Sequence, residues 1–149
     1  MVEFNVRVNR GLDGKFRKLE KLVENFKEEY LMGFAEEIVF NSPVDTGAYI
    51  LSHNIGDNFT TSEGVGGRRP AGDGPFGAKW SQLQQPALSK LDAQIRAIPD
   101  TQTVVTIRNT SSHATIVEYQ HGYEVYSRAR AKSGMIVREA EARARARST

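Results

Sequence analysis

The fold is decided by residues 15–47, which read KFRKLEKLVENFKEEYLMGFAEEIVFNSPVDTG. Large apolar residues recur in this stretch every three to four positions, the spacing of one buried face on an α-helix. They are Phe16, Leu19, Val23, Phe26, Tyr30, Phe34 and Ile38. Because the residue before a proline avoids the α region, Ser42-Pro43 marks the predicted end of the helix. We therefore predict one long helix over residues 15–41, with its apolar stripe against a core.

Strands are predicted on both sides of this helix. Residues 2–8 alternate apolar and polar side chains, which is the period of a strand with one buried face. Further strands are predicted at residues 48–59 and 104–107, and the apolar centre of the latter suits burial on both faces. Residues 123–126 also have a strand-like pattern, whereas residues 113–119 fit no single state.

Two more helices complete the predicted order of elements. Pro86 suits the first turn of a second, short helix, since that position needs no backbone N–H. A C-terminal helix is predicted at residues 132–147. Its inward side chains are expected to be Met135, Ile136, Ala140 and Ala144. The sequence thus predicts an α+β fold, an antiparallel sheet with the long N-terminal helix packed on one face, and its length suits one domain over residues 1–149.

The composition narrows the classes of protein. The chain has no cysteine, so neither disulfides nor a thiolate metal site is expected. No apolar run approaches about 18 residues, and the alternating first ten residues do not read as a signal peptide. No membrane association is therefore expected. We also expect no cofactor, because the glycine-rich stretch lacks the Gly-Lys-Ser/Thr ending of a phosphate-binding loop.

Charge is unevenly distributed along the chain. Residues 1–60 carry seven Lys/Arg against ten Asp/Glu, whereas residues 128–149 carry seven against two. Such a basic segment indicates either an acidic or nucleic-acid partner or simply a solvated helix face. The candidate contact residues are Arg68, Arg69, Arg138, Arg143, Arg145 and Arg147. They suit DNA phosphates or acidic patches on a neighbouring subunit, and we favour the protein partner. The glutamates that would form those patches are Glu24, Glu28, Glu36 and Glu37.

A glycine-rich loop is predicted at residues 60–79. Six of the thirteen glycines lie within residues 64–77, with Arg68 and Arg69 between them. Loops of this length in compact domains are usually functional or disordered. We interpret this one as a flexible interface loop, with a plain disordered tip as the alternative.

Catalytic interpretations of the short motifs are weak. Asp45-Thr46-Gly47 matches the aspartic-protease triplet, but such enzymes need two carboxylates sharing one proton and no second triplet occurs. We interpret these three residues as a structural turn, in which Gly47 takes a positive φ. The three histidines, His53, His113 and His121, lack His-Glu-x-x-His spacing. We expect no metal site, no catalytic residue and no enzyme.

Two segments resemble a known family. Residues 41–49 read NSPVDTGAY, and residues 113–119 read HATIVEY with a glycine at position 122. These segments are similar to motifs of the tail-completion (head–tail joining, neck) family of tailed bacteriophages, which includes the minor tail protein Z group. The matching residues that we single out are Pro43, Val44, Asp45, Thr46, Gly47, Val117, Glu118, Tyr119 and Gly122.

The resemblance implies a structural virion protein at the head–tail junction. Such a protein would form a ring, sixfold or twelvefold, that links the tail end to the head connector. Its partners would be the tail terminator or tube, the connector and the genomic DNA passing through the lumen. It would reside in the virion, and in the host cytoplasm during assembly. The motif residues would define the fold and its interfaces. The alternative function is a basic nucleic-acid-binding module that uses residues 128–149.

Overall fold

The computed structural model describes residues 2–7 and 17–148 and has an α+β fold, as predicted. In chain order the elements are β1 (Val2–Arg7), α1 (Arg17–Phe40), β2 (His53–Ile55), α2 (Ala78–Arg96), β3 (Val104–Asn109), α3 (Val125–Ala131) and α4 (Ser133–Arg147). A 3₁₀ turn at Ile50–Ser52 leads into β2, and a π-helical turn at Ile116–Gln120 precedes α3. The first two residues of the predicted long helix lie outside the described residues.

The three strands form an antiparallel sheet in the order β1-β3-β2. On its inner face Phe4 and Ile55 both pair with Ile107, and Phe4 packs against Phe34 of α1 with ring centroids 5.3 Å apart. On the outer face Arg108 forms an ion pair with Glu3. Side chains along β3 therefore alternate between a buried and a partly exposed face. The prediction that this strand is buried on both faces is wrong, because among residues 2–7 and 17–148 no element covers the outer face as α1 covers the inner one.

Helix α1 packs against α4 as well as the sheet. Its residues Leu31, Phe34 and Ile38 are buried in the core. A Cβ atom at Gly33 would lie 2.6 Å from Ile136 Cγ2, so the glycine permits close approach of α4. The predicted inward residues Ile136, Ala140 and Ala144 are indeed buried. Two other predictions of burial are wrong, since Leu19 is 42% and Met135 40% exposed.

Three predicted elements differ from the structure by several residues or in type. Helix α2 begins at Ala78 rather than at Pro86, which lies inside the helix. Pro86 and Gln82, whose carbonyl loses its helical partner, are both exposed, so water can replace that bond. The predicted strand at residues 48–59 shrinks to β2, because Leu51 N–H donates to the Gly47 carbonyl in a helical turn. The strand predicted at residues 123–126 is wrong, because α3 begins at Val125, where the Glu118 carboxylate accepts the first N–H groups of the helix.

Candidate functional site

A buried polar cluster joins the first motif to the sheet and to α3. It consists of Ser42, His53, Asn109 and Tyr126, each at most 2% exposed. Ser42 Oγ donates to the Ile38 carbonyl oxygen at 2.5 Å and lies 2.6 Å from His53 Nε2. On the other side of the ring, His53 Nδ1 lies 2.9 Å from the Tyr126 hydroxyl and 3.1 Å from Asn109 Nδ2. These contacts fit a neutral imidazole with its proton on Nε2.

Burial keeps the groups of this cluster uncharged. Desolvation, with a smaller contribution from Lys90, lowers the pKa of His53 to about 3. Desolvation also raises the pKa of Tyr126 well above its ordinary value, and the nearby Tyr49 and Glu118 raise it further. The cluster is therefore a set of neutral hydrogen bonds at physiological pH.

The Ser42–His53 contact does not have the geometry of a nucleophile and its base. A catalytic serine must reach the substrate, and its histidine is commonly oriented by a third group such as a carboxylate. Here Ser42 is fully buried and its hydroxyl is committed to a backbone carbonyl. The groups bonded to His53 Nδ1 are a phenol and an amide. The cluster fixes the position of the first motif, and no spacing in the sequence pointed to it.

Glu118 of the second motif is also buried, at 1% exposure. Its Oε2 accepts from the Tyr126 N–H at 3.0 Å, and its Oε1 accepts from the Ser127 N–H at 2.9 Å and from the Ser127 hydroxyl at 3.2 Å. The first N–H groups of a helix lack intrahelical partners and favour a negative charge nearby. Glu118 thus caps α3 and starts it at Val125, which carries Tyr126 into the buried polar cluster. The next residue, Tyr119, is 67% exposed.

The two motif segments meet at one surface cleft of about 350 Å³, which we term the motif cleft. Its lining includes residues 43–49 of the first motif segment, together with Ile116, Val117 and Tyr123. The basic side chains of Arg68, Arg69, His113 and His121 also line it. Asp45 is the single acidic residue among the lining residues. The predicted motif residues Glu118, Tyr119 and Gly122 are not among them, and Gly122 lies at φ +71° in the exposed link before α3.

Hydrogen bonds anchor the glycine-rich loop to the Asp45–Gly47 turn. The Val65 N–H donates to the Thr46 carbonyl, and the Arg69 N–H donates to Asp45 Oδ1, both at 2.9 Å. Lys79 Nζ donates to the carbonyl oxygens of Asp45 and Gly67. The turn therefore holds Arg68 and Arg69 beside the cleft. Flexibility of the loop stays a prediction, but it now applies to a segment that is tied to the turn.

The C-terminal arginines lie apart from the residues that line the cleft. Arg147 forms ion pairs with Glu28 at 3.0 Å and Glu29 at 2.9 Å on α1. Arg145 pairs with Glu141 one helical turn away. Arg138 and Arg143 are exposed and form no ion pair with the residues that the structure describes. Part of the basic segment is thus neutralised by the acidic helix of the same chain.

Over residues 2–7 and 17–148, no group of three or more His, Asp or Glu side chains is placed to hold a metal ion. Nor does this part of the chain contain a helix that is long and apolar enough to span a membrane. Comparison with protein-family models, with curated proteins and with solved structures finds no match to the chain.

Proposed function

We propose that this chain is a tail-completion or neck protein, a structural component of the head–tail junction of a tailed bacteriophage. The observation that carries the proposal is the meeting of the two motif segments. They are separated by more than sixty residues in the sequence, yet residues 43–49 and 116–117 line the same cleft. A resemblance spread over two distant segments is better supported when those segments form one surface.

The burial of the reactive side chains also favours a structural role. Ser42 and His53, the nearest approach to a nucleophile and a base, are enclosed by the fold and already hydrogen-bonded. What the motifs present to solvent is a cleft with an adjacent basic loop. Such a surface suits binding of another protein, so we propose no catalytic activity and no cofactor.

In this role the chain assembles as a ring, sixfold or twelvefold, between the tail end and the head connector. Each subunit then needs surfaces for two neighbours and for partners above and below, and head-to-tail contacts that close by rotation produce such rings. The partners are the tail terminator or tube, the connector and DNA in the lumen. The protein belongs to the virion, and to the host cytoplasm during assembly.

The alternative, a nucleic-acid-binding module, is less well supported by the charges. Nonspecific binding to DNA relies on Lys and Arg that are free to neutralise phosphates. Arg147 is held between two glutamates, and Lys132 Nζ lies 2.7 Å from Glu37 Oε1. The C-terminal segment therefore presents less free positive charge than its sequence suggests.

The test is the mass of the purified protein by light scattering, with and without tail-terminator and tail-tube proteins, at low and at physiological salt. Six subunits of 16.6 kDa would give a ring of about 100 kDa. We expect such a ring, formed either by the protein alone or on addition of a partner. A monomer that ignores both partners, yet retards duplex DNA with an affinity that falls steeply with salt, would contradict the proposal and favour the alternative.

A further inference from the structure

We propose that the motif cleft of one copy binds the acidic groove between α1 and α4 of a second copy. In this contact the exposed side chains of Phe40 and Met135 enter the cleft, and the arginines beside the cleft face glutamates of the groove. The inference rests on the proposed function, because it assigns the two faces through which neighbouring subunits of the ring would meet.

The cleft offers an apolar recess beside positive charge. Ile116, Val117 and Tyr123, which are partly exposed, contribute apolar surface to its lining. The guanidinium groups of Arg68 and Arg69 form no ion pair with the described residues. Asp45 does not offset them fully, since its single negative charge faces two guanidinium groups. An occupant of the cleft should therefore combine an apolar side chain with negative charge.

The groove between α1 and α4 has that combination. Phe40 is 44% and Met135 40% exposed, although both are large apolar side chains, and both line this groove. Glu36 and Glu139 line it with them, and neither forms an ion pair within the described residues. Two further glutamates of the groove, Glu29 and Glu37, already form ion pairs within the chain. Arg143 also lines the groove and adds one positive charge.

The charges also determine which pairing of surfaces is favourable. Two clefts facing each other would bring arginines together, and two grooves would bring glutamates together, which is unfavourable in both cases. Only cleft against groove pairs opposite charges. A contact between two different surfaces of the same molecule is heterologous, and such contacts form a ring when the rotation closes.

A charge-exchange experiment tests the contact. The cleft variant is Arg68→Glu with Arg69→Glu, and the groove variant is Glu36→Lys with Glu139→Lys. All four residues lie on the surface or are partly exposed, so the fold should survive, which the unfolding midpoint checks. By light scattering and sedimentation, we expect each variant alone to self-associate about tenfold more weakly than the unaltered protein. An equimolar mixture of the two variants should regain assembly, and so should a chain that carries all four changes.

The matched control is Arg96→Glu with Arg128→Glu, which changes the net charge as the cleft variant does but at exposed positions outside both surfaces. It should assemble like the unaltered protein. If the cleft or groove variant still forms the ring, or if the mixture fails to regain assembly, the contact lies elsewhere and the inference is overturned while the proposed function stands. If the unaltered protein forms no ring with or without terminator and tube proteins, the proposed function and the inference fail together.

Discussion

The two motifs divide their residues between the interior and the surface of the molecule: Ser42 lies in the buried polar cluster and Glu118 caps α3, whereas Asp45 lines the motif cleft. Ser42 is fully buried, whereas Asp45, three residues later, is exposed. Likewise Glu118 is 1% and its neighbour Tyr119 67% exposed. The comparison teaches that one short motif can hold the fold with its inward residues and present a binding surface with its outward ones.

Physical chemistry constrains the two regions differently. A buried polar group costs free energy unless it is hydrogen-bonded, so the inward residues tolerate little change. His53 of the cluster is bonded through both ring nitrogens, and Glu118, which caps α3, through both carboxylate oxygens. Exposed side chains exchange their bonds with water at little cost. Substitutions of the buried residues should therefore lower the stability of the fold, and substitutions of the exposed residues should affect binding of a partner.

The largest effect is expected for Glu118→Ala. This change leaves the N–H groups of Tyr126 and Ser127 without their carboxylate acceptor at the start of α3. Losing the acceptor of the buried Tyr126 N–H and the cap of a helix should cost about 3 kcal/mol in the free energy of unfolding. Urea denaturation at pH 7 measures it. The adjacent control, Tyr119→Ala, should cost less than about 0.5 kcal/mol, as exposed positions do. Equal losses in the two variants would contradict the division between inward and outward residues.

The next largest effect is a dependence of stability on pH through His53. Because burial lowers its pKa from 6.5 to about 3, the folded protein leaves His53 neutral at pH 5, whereas the unfolded chain takes up the proton. Stability therefore falls as the pH drops below 6.5, by about 2 kcal/mol between pH 7.5 and pH 5 from this residue.

The measurement is urea denaturation at both pH values for three proteins. His53→Gln should lose this component of the pH dependence, even if it is less stable at pH 7.5. His113→Gln, at an exposed position beside the motif cleft, should retain it. If His53→Gln and the unaltered protein show the same change between the two pH values, the imidazole is not held neutral by the fold.

The spacing of apolar residues in the sequence correctly predicted two of the helices. The apolar spacing of residues 15–41 predicted α1, and the C-terminal pattern predicted α4, because a helix that buries one face repeats its apolar residues. Residues 123–126 were misassigned, since the side chain that starts α3 lies in the preceding turn, at Glu118. The alternating pattern also failed within the strand predicted at residues 48–59, where Ile50–Ser52 form a 3₁₀ turn before β2.

The site was less predictable than the fold. The members of the buried polar cluster are Ser42, His53, Asn109 and Tyr126, which come from distant parts of the chain. Ser and Asn are mostly exposed in proteins and His and Tyr are intermediate, so nothing in the sequence indicates that these four meet. The resemblance selected both motifs, but their convergence on one cleft, and the anchoring of Arg68 and Arg69 beside it, needed three-dimensional structure.

The smallest effect concerns the loop beside the cleft and compares two glycines. Gly64 has φ +102°, and a Cβ atom there would lie 2.5 Å from the Thr46 carbonyl oxygen. Gly66 has φ +132°, but a Cβ atom there would meet nothing within 4 Å. Alanine at either position should cost about 1 kcal/mol for its positive φ, and Gly64→Ala about 1 kcal/mol more, because it also pushes the loop off the turn.

The rate of trypsin cleavage after Arg68 reports whether the loop stays anchored, since the bond after Arg69 precedes Pro70 and resists trypsin. Gly64→Ala should weaken the bond from Val65 N–H to the Thr46 carbonyl and so speed cleavage relative to Gly66→Ala. Because the two variants carry the same new side chain in the same loop, a faster rate for Gly64→Ala isolates the contact with Thr46. Equal rates would mean that the Asp45–Gly47 turn does not hold the arginines in place. The positive charge beside the cleft would then be mobile, and complementarity with the acidic groove would have to arise during docking.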